Sequence, residues 1–221
     1  MRIEKLRIVT CISLLTLFGL TLGAATIVSE SGSIGPTIGS VNGGIGLETS
    51  WTSSIPYTNV SISANLSSGS STASGSDTFF LTTLIGPGTT TANEIARNTL
   101  TVPAGPQSVI PIFSGLTLSP GNYFLVLGGP FTPAIFWSTS DSPTITTGAG
   151  VTFDGTGVAS PNCGVCPYVP ATTFDTSSTF HYLFDVSGTA VPEPSSAAFF
   201  FVGLLAIAGA ALLRSSVARR V

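Results

Sequence analysis

The chain has 221 residues, only 8% of them charged, and a formal net charge of −3. Between residues 26 and 190 a single basic residue, Arg97, stands against eight acids. One cation cannot neutralise a track of phosphates, which excludes nucleic acid as a partner. Apolar residues recur regularly and acids never cluster, which excludes a disordered acidic tail.

Arg2, Lys5 and Arg7 give the amino terminus a positive start. Ile8 to Leu22 is apolar, and Gly23-Ala24-Ala25 supplies small residues at its end. This three-part pattern predicts a secretory signal helix over residues 1–25, cut by signal peptidase after Ala25. Cys11 lies in the middle of the apolar run and would leave with it.

The stretch 26–190 reads as one extracytoplasmic domain. Thr26 to Gly46 is Gly- and Ser-rich and predicts a first strand and loops, and Leu47 to Ser53 a strand around Trp51. Val60, Ile62, Ala64 and Leu66 alternate with Ser61, Ser63 and Asn65, the period of a half-buried strand. Asp77 to Ile85 follows as a strand closed by Gly86-Pro87-Gly88. Ala92 to Asn98 has briefly helical composition before Leu100 and Val102 resume an extended pattern.

Val109 to Phe113 and Leu116 to Leu118 predict two short strands, interrupted by Pro111 and Gly115. Ser119-Pro120-Gly121-Asn122 is a turn, since proline presets its own φ and glycine accepts a positive one. With Leu118 before it and the apolar run Tyr123 to Leu127 after it, the pattern predicts a hairpin. Ala134 to Ser138, Thr144 to Thr146, Val151 to Phe153 and Thr179 to Val186 add further strands. Many short strands with Gly/Pro turns predict an all-β antiparallel sandwich of jelly-roll topology.

Few residues in this body suggest chemistry. Cys163-Gly164-Val165-Cys166 is its one local motif. Zinc at a structural site needs four ligands, and a redox Cys-x-x-Cys belongs at a helix start in a βαβ unit. Export favours a disulfide between Cys163 and Cys166 that pins a surface loop. His181 is the only histidine. Four residues along a strand put it roughly 13 Å from Asp185, so the two do not form a dyad. There is no Gly-x-Ser-x-Gly elbow. The acids are scattered, with no paired carboxylates and no calcium loop. A pocket joining His181 to an acid is what would point to a hydrolase. Trp51, Trp137 and Tyr123 have the chemistry of a sugar-stacking platform, but strands more often bury such rings in a core. Phe131 stands in a loop.

Residues 191–221 are organised differently. Val191-Pro192-Glu193-Pro194 is stiff and extended, because each proline keeps its predecessor out of the helical region. Ala197 to Leu213 is an unbroken apolar run, about 25 Å long as a helix and at the short end of what spans a bilayer. Arg214, Arg219 and Arg220 follow, and the positive-inside rule keeps them cytoplasmic, as a stop-transfer cluster. Both ends therefore place the body outside.

Pro192-Glu193-Pro194, a single short transmembrane helix and a terminal arginine cluster together resemble the PEP-CTERM sorting signal of Gram-negative bacteria that make exopolysaccharide. The resemblance covers residues 191–221. It implies that exosortase, a multi-pass membrane cysteine protease and transpeptidase, recognises Pro192, Glu193 and Pro194 and processes the chain near them. It implies an inner-membrane precursor and release to the cell surface or extracellular matrix. The sequence thus predicts a non-enzymatic surface or matrix protein with a structural or adhesive body, no metal and no cofactor. Its partners would be signal peptidase, the exosortase-type transpeptidase, the inner membrane transiently, and exopolysaccharide. A carbohydrate-binding module is the alternative. Alkylation of the unreduced exported protein is expected to leave Cys163 and Cys166 unlabelled; two labelled thiols exclude the bridge.

Overall fold

A computed structural model describes residues 23–35, 38–40, 46–128, 135–159, 168–176, 179–191 and 203. Two antiparallel sheets contain the thirteen strands of these residues. In chain order they are β1 (Ala25–Ser31), β2 (Ile38–Ser40), β3 (Leu47–Ser53), β4 (Tyr57–Ser67), β5 (Gly75–Thr82), β6 (Glu94–Val102) and β7 (Ser108–Leu118). Then come β8 (Gly121–Gly128), β9 (Phe136–Ser138), β10 (Thr144–Thr147), β11 (Val151–Ala159), β12 (Phe174–Asp175) and β13 (Phe184–Ala190). Among the described residues no helix is long and apolar enough to cross a membrane. The expected signal helix falls on residues 1–25, of which only Gly23, Ala24 and Ala25 are described. Of the expected transmembrane helix only Gly203 is described, in helical backbone.

The first sheet has the order β10-β1-β13-β4-β9-β2, with β7 also on β4, and the second β12-β11-β3-β8-β5-β6. The alternation of Val60, Ile62, Ala64 and Leu66 points these residues into one shared core, where each is at most 1% exposed. From the second sheet Leu47, Phe79, Leu81, Leu125 and Leu127 meet them. Rings bridge the sheets. Trp51 on β3 stacks on Tyr123 of β8 at 5.7 Å and reaches Phe184 of β13 at 6.3 Å. Phe79 on β5 meets Trp137 of β9 edge-on at 5.4 Å. Trp137 donates its indole N–H to the Leu183 carbonyl, 3.0 Å away, so a large polar-tipped ring is buried with its donor satisfied.

Several expectations change. Ser108 to Leu118 is one strand, not two. Gly115 has φ +70° where the pairing with β4 shifts, a bulge that glycine accommodates without breaking the strand. Pro111 is tolerated because β7 pairs only with β4 and is an edge strand. Leu118 and Tyr123 do not form a hairpin: β7 belongs to the first sheet and β8 to the second, so the 119–120 turn crosses between layers. The Tyr123 hydroxyl, donating to the Ser119 carbonyl, pins that crossing. The helical composition of Ala92 to Asn98 yields one 3-10 turn, Thr91–Asn93, before β6 begins. His181 precedes β13 rather than lying on it.

Trp137→Ala is expected to lower stability by about 3–5 kcal/mol in a denaturant titration. Val109→Thr, on the exposed edge at 68% exposure, is expected to change it by less than about 0.5 kcal/mol.

Candidate functional site

The clearest polar constellation joins β1 to the segment before β13. Glu30 points inward from β1, in register with Phe184 and Ile145. The backbone of His181 to Leu183 is held by Ser138, Ser140 and Asn65: Ser140 N–H donates to His181, Leu183 N–H to Ser138, and Asn65 N–H to Leu183. Tyr182 bridges Thr139. This places His181 Nδ1 2.5 Å from Glu30 Oε1, across 151 residues of sequence. Glu30 is buried at 1% exposure, while the histidine side chain is 36% exposed.

Burial pushes the Glu30 carboxyl up to about 7, even though the His181 hydrogen bond and charge act the other way. Its second oxygen, Oε2, is buried without a partner among the described residues. Tyr182 stacks on Trp137 at 5.0 Å, and its buried hydroxyl is likewise unpartnered there. Burial first, then the charges of Glu48 and Glu30, hold that phenol well above its usual range. Beside this pair an open groove of about 210 Å³ is lined by Glu30, Ser31, Ser63, Asn65, Val109 and Asp185, among others.

An acid–histidine dyad is half of a hydrolytic arrangement. The other half is a hydroxyl or thiol on the far ring nitrogen. Among the described residues the His181 ring has Glu30 as its one hydrogen-bond partner. What the geometry provides is one hydrogen bond that ties the segment before β13 to β1. Asp185 lies on β13 opposite Ser29 and Ser63 and is not part of the pair. No three His, Cys, Asp or Glu side chains among the described residues could hold a metal ion together.

Two further carboxyls are buried. Glu48, at 1% exposure, projects from the outer face of β3 between Gly157 and Val126. Asp77, fully buried, accepts from Ile135 N–H at 2.8 Å through Oδ2, and its Oδ1 has no partner among the described residues. Burial pushes both up to about 7.

Arg97, the single cation of the body, is already engaged. The register shift between Leu81 and Thr82 turns Glu94 and Arg97 to the same face of β6. There Arg97 forms a forked pair with Glu94, with Nη2 2.8 Å from Oε2. Its guanidinium lies 5.0 Å from the Phe80 ring and 5.7 Å from that of Tyr168, whose hydroxyl donates to Glu94 at 3.1 Å. Tyr168 and the buried Pro170 thus roof part of the outer face of the second sheet.

The sugar-platform residues take the core role instead. Trp51 and Trp137 are fully buried and Tyr123 is 3% exposed, so none presents a ring to solvent. Cys163, Cys166, Phe131, Pro192, Glu193, Pro194, Arg214, Arg219 and Arg220 lie outside the described residues. No family model matches the chain, and no curated protein matches it.

The buried acids set a pH dependence. Glu30, Glu48 and Asp77 keep their protons in the folded state up to about 7, while the unfolded chain loses them near the ordinary carboxylate value. Stability is therefore greatest at and below about pH 4.5 and falls as pH rises through 7, by about 1.4 kcal/mol per unit for each group acting alone. Thermal melts are expected to show a higher Tm at pH 5 than at pH 8. Glu48→Gln with Asp77→Asn should raise stability at pH 8 by about 1–2 kcal/mol each and flatten the profile. A melting temperature that rises from pH 5 to pH 8 contradicts this assignment.

Proposed function

We propose that the protein is an exported bacterial surface or extracellular-matrix component, with a structural or adhesive β-sandwich body and a sorting tail made to be cut. The observation that carries this reading is where the fold stops relative to the tail. β13 ends at Ala190, and the Val191 N–H donates to Pro56 at 2.9 Å, the last tie to the sandwich among the described residues. Pro192-Glu193-Pro194 begins at the next residue, followed by the apolar run and the arginines. A cut at the motif releases every strand intact. A cut after Ala25 removes only the first residue of β1, whose neighbours Gly23 and Ala24 are exposed.

On this reading signal peptidase and an exosortase-type membrane transpeptidase process the chain. The inner membrane holds it transiently, and exopolysaccharide surrounds it at its destination. Pro192, Glu193 and Pro194 are recognition residues, Arg214, Arg219 and Arg220 the stop-transfer cluster, and Cys163 and Cys166 a loop-pinning disulfide. The body has no catalytic role.

A jelly roll is the finer description of the sandwich that we favour. Its support is strand order: β1-β13-β4-β7 faces β3-β8-β5-β6, the arrangement that two interlocked Greek keys generate, with β9 to β12 added between the last two key strands.

A double-tagged protein tests the sorting reading. The C-terminal tag is expected to be lost from wild type and retained with the membrane in Pro194→Ala or Glu193→Gln. Unchanged tag loss in both variants overturns it.

A further inference from the structure

The strand register sends both ends of the body out of one pole. Ala25 at the start of β1 pairs with Gly188 near the end of β13, and Ala190 pairs with Tyr57 at the start of β4. The turns 54–56, 83–93, 119–120 and 148–150 belong to the same pole, since Ser53 pairs with Gly121 and Val151, and Thr82 with Glu94 and Phe124. This end is tied together: Tyr57 Oη donates to Ala149 at 3.0 Å, Ser54 N–H to Gly150 at 2.8 Å, and Val191 N–H to Pro56.

None of those four turns contains a charged residue. The opposite half carries Glu30, Glu48, Asp77, Asp141 and Asp175, together with His181. Asp185, opposite Ser29, belongs with that half, while two acids lie nearer the uncharged turns: Glu94, which is paired with Arg97, and Asp154, exposed on β11, which accepts from Thr52 Oγ1 at 2.7 Å. Only Pro192 to Ser196 separates Val191 from the apolar run, a span of at most about 20 Å from Val191 to Ala197.

We infer that, in the membrane-held precursor, the domain stands on this uncharged pole against the phospholipid surface, with the Glu30–His181 end pointing away. The inference rests on the reading that residues 197–213 enter a bilayer. Given that, the short connection leaves this pole within reach of the headgroups. A bilayer with anionic lipids repels carboxylates and tolerates uncharged Gly, Ser, Thr and Pro turns, so charge selects the same face as tether length. The orientation also puts the cut site between fold and membrane, with the pole beside it.

Hydrogen exchange of the full chain in phosphatidylethanolamine/phosphatidylglycerol nanodiscs tests this. The comparison is with a variant carrying twenty Gly/Ser residues inserted between Val191 and Pro192. Amides in 83–93, 119–120 and 148–150 are expected to exchange several-fold more slowly in wild type than in the variant, while those in 67–74 and 103–107 exchange equally. No difference between the two chains, or protection of the 67–74 and 103–107 turns instead, overturns the orientation. Protection that needs co-reconstituted exosortase overturns lipid as the partner. Flotation with vesicles of the same lipids separates the two ideas: a chain that floats with unprotected turns sinks the orientation alone. A chain that does not float sinks the membrane-tail reading and the orientation with it.

Discussion

The structure depends on β13 lying between β1 and β4. Its backbone pairs with the first strand of the body on one side and with a strand 120 or more residues earlier on the other, Phe184 opposite Glu30 and Ala64. Without it, β1 keeps only the four-residue β10, and the Val28, Ile62 and Val186 row of the core is left open. Such pairing closes a very long loop before it gains anything, so it carries an entropic cost that the two ladders must offset. Residues at the end of the body thus complete its beginning. Trp51 against Phe184 then couples this strand to the second sheet, so neither layer is finished without the other.

A second constraint is the near absence of cations. Most buried carboxylates in proteins have an arginine or lysine nearby; here the one candidate, Arg97, is clasped by Glu94 and two aromatic rings. Glu48 and Asp77 have no cation to meet, so burial keeps them protonated rather than paired. Glu30 has only a half-exposed imidazole, which lessens the burial effect without cancelling it. A neutral carboxyl is a tolerable interior group at mildly acidic pH and a costly one when ionised. The composition of this chain, poor in charge and rich in hydroxyls, therefore shapes its stability profile as well as its surface.

Most of the architecture was legible because alternation and turn chemistry are local. Val60 to Leu66, Tyr123 to Leu127 and Thr144 to Thr146 read as strands from their own residues and neighbours. Layer membership was not local. Ser119-Pro120 looks like a hairpin turn by composition, and only the pairing of β8 with β3 and β5, distant in sequence, shows that it belongs to the other sheet. Gly115 and Pro111 read as interruptions because a bulge and an edge position are properties of the partner strand. The Glu30–His181 pair was illegible for the same reason: 151 residues separate its members, and neither has a local signature. Asp185, near His181 in sequence, is excluded by strand spacing, but no spacing rule points to Glu30 in its place. The Glu94–Arg97 clasp was hidden by a register shift that sequence spacing does not reveal.

The junction at Val191 shows how one chemical property can serve two ends. Within β13 each residue on the ladder can give and take a backbone hydrogen bond, and just beyond it the Val191 N–H donates to Pro56. Pro192 and Pro194 have no N–H to donate, so a strand paired on both sides, as β13 is between β1 and β4, does not continue through them. The sandwich is thereby ended by the chemistry of the residues that, on the sorting reading, a membrane transpeptidase would recognise. A motif of ordinary residues at this place could extend β13 and be drawn into the sheet. Two prolines oppose that extension, so β13 and the motif can stand with Val191 as the one residue between them in sequence.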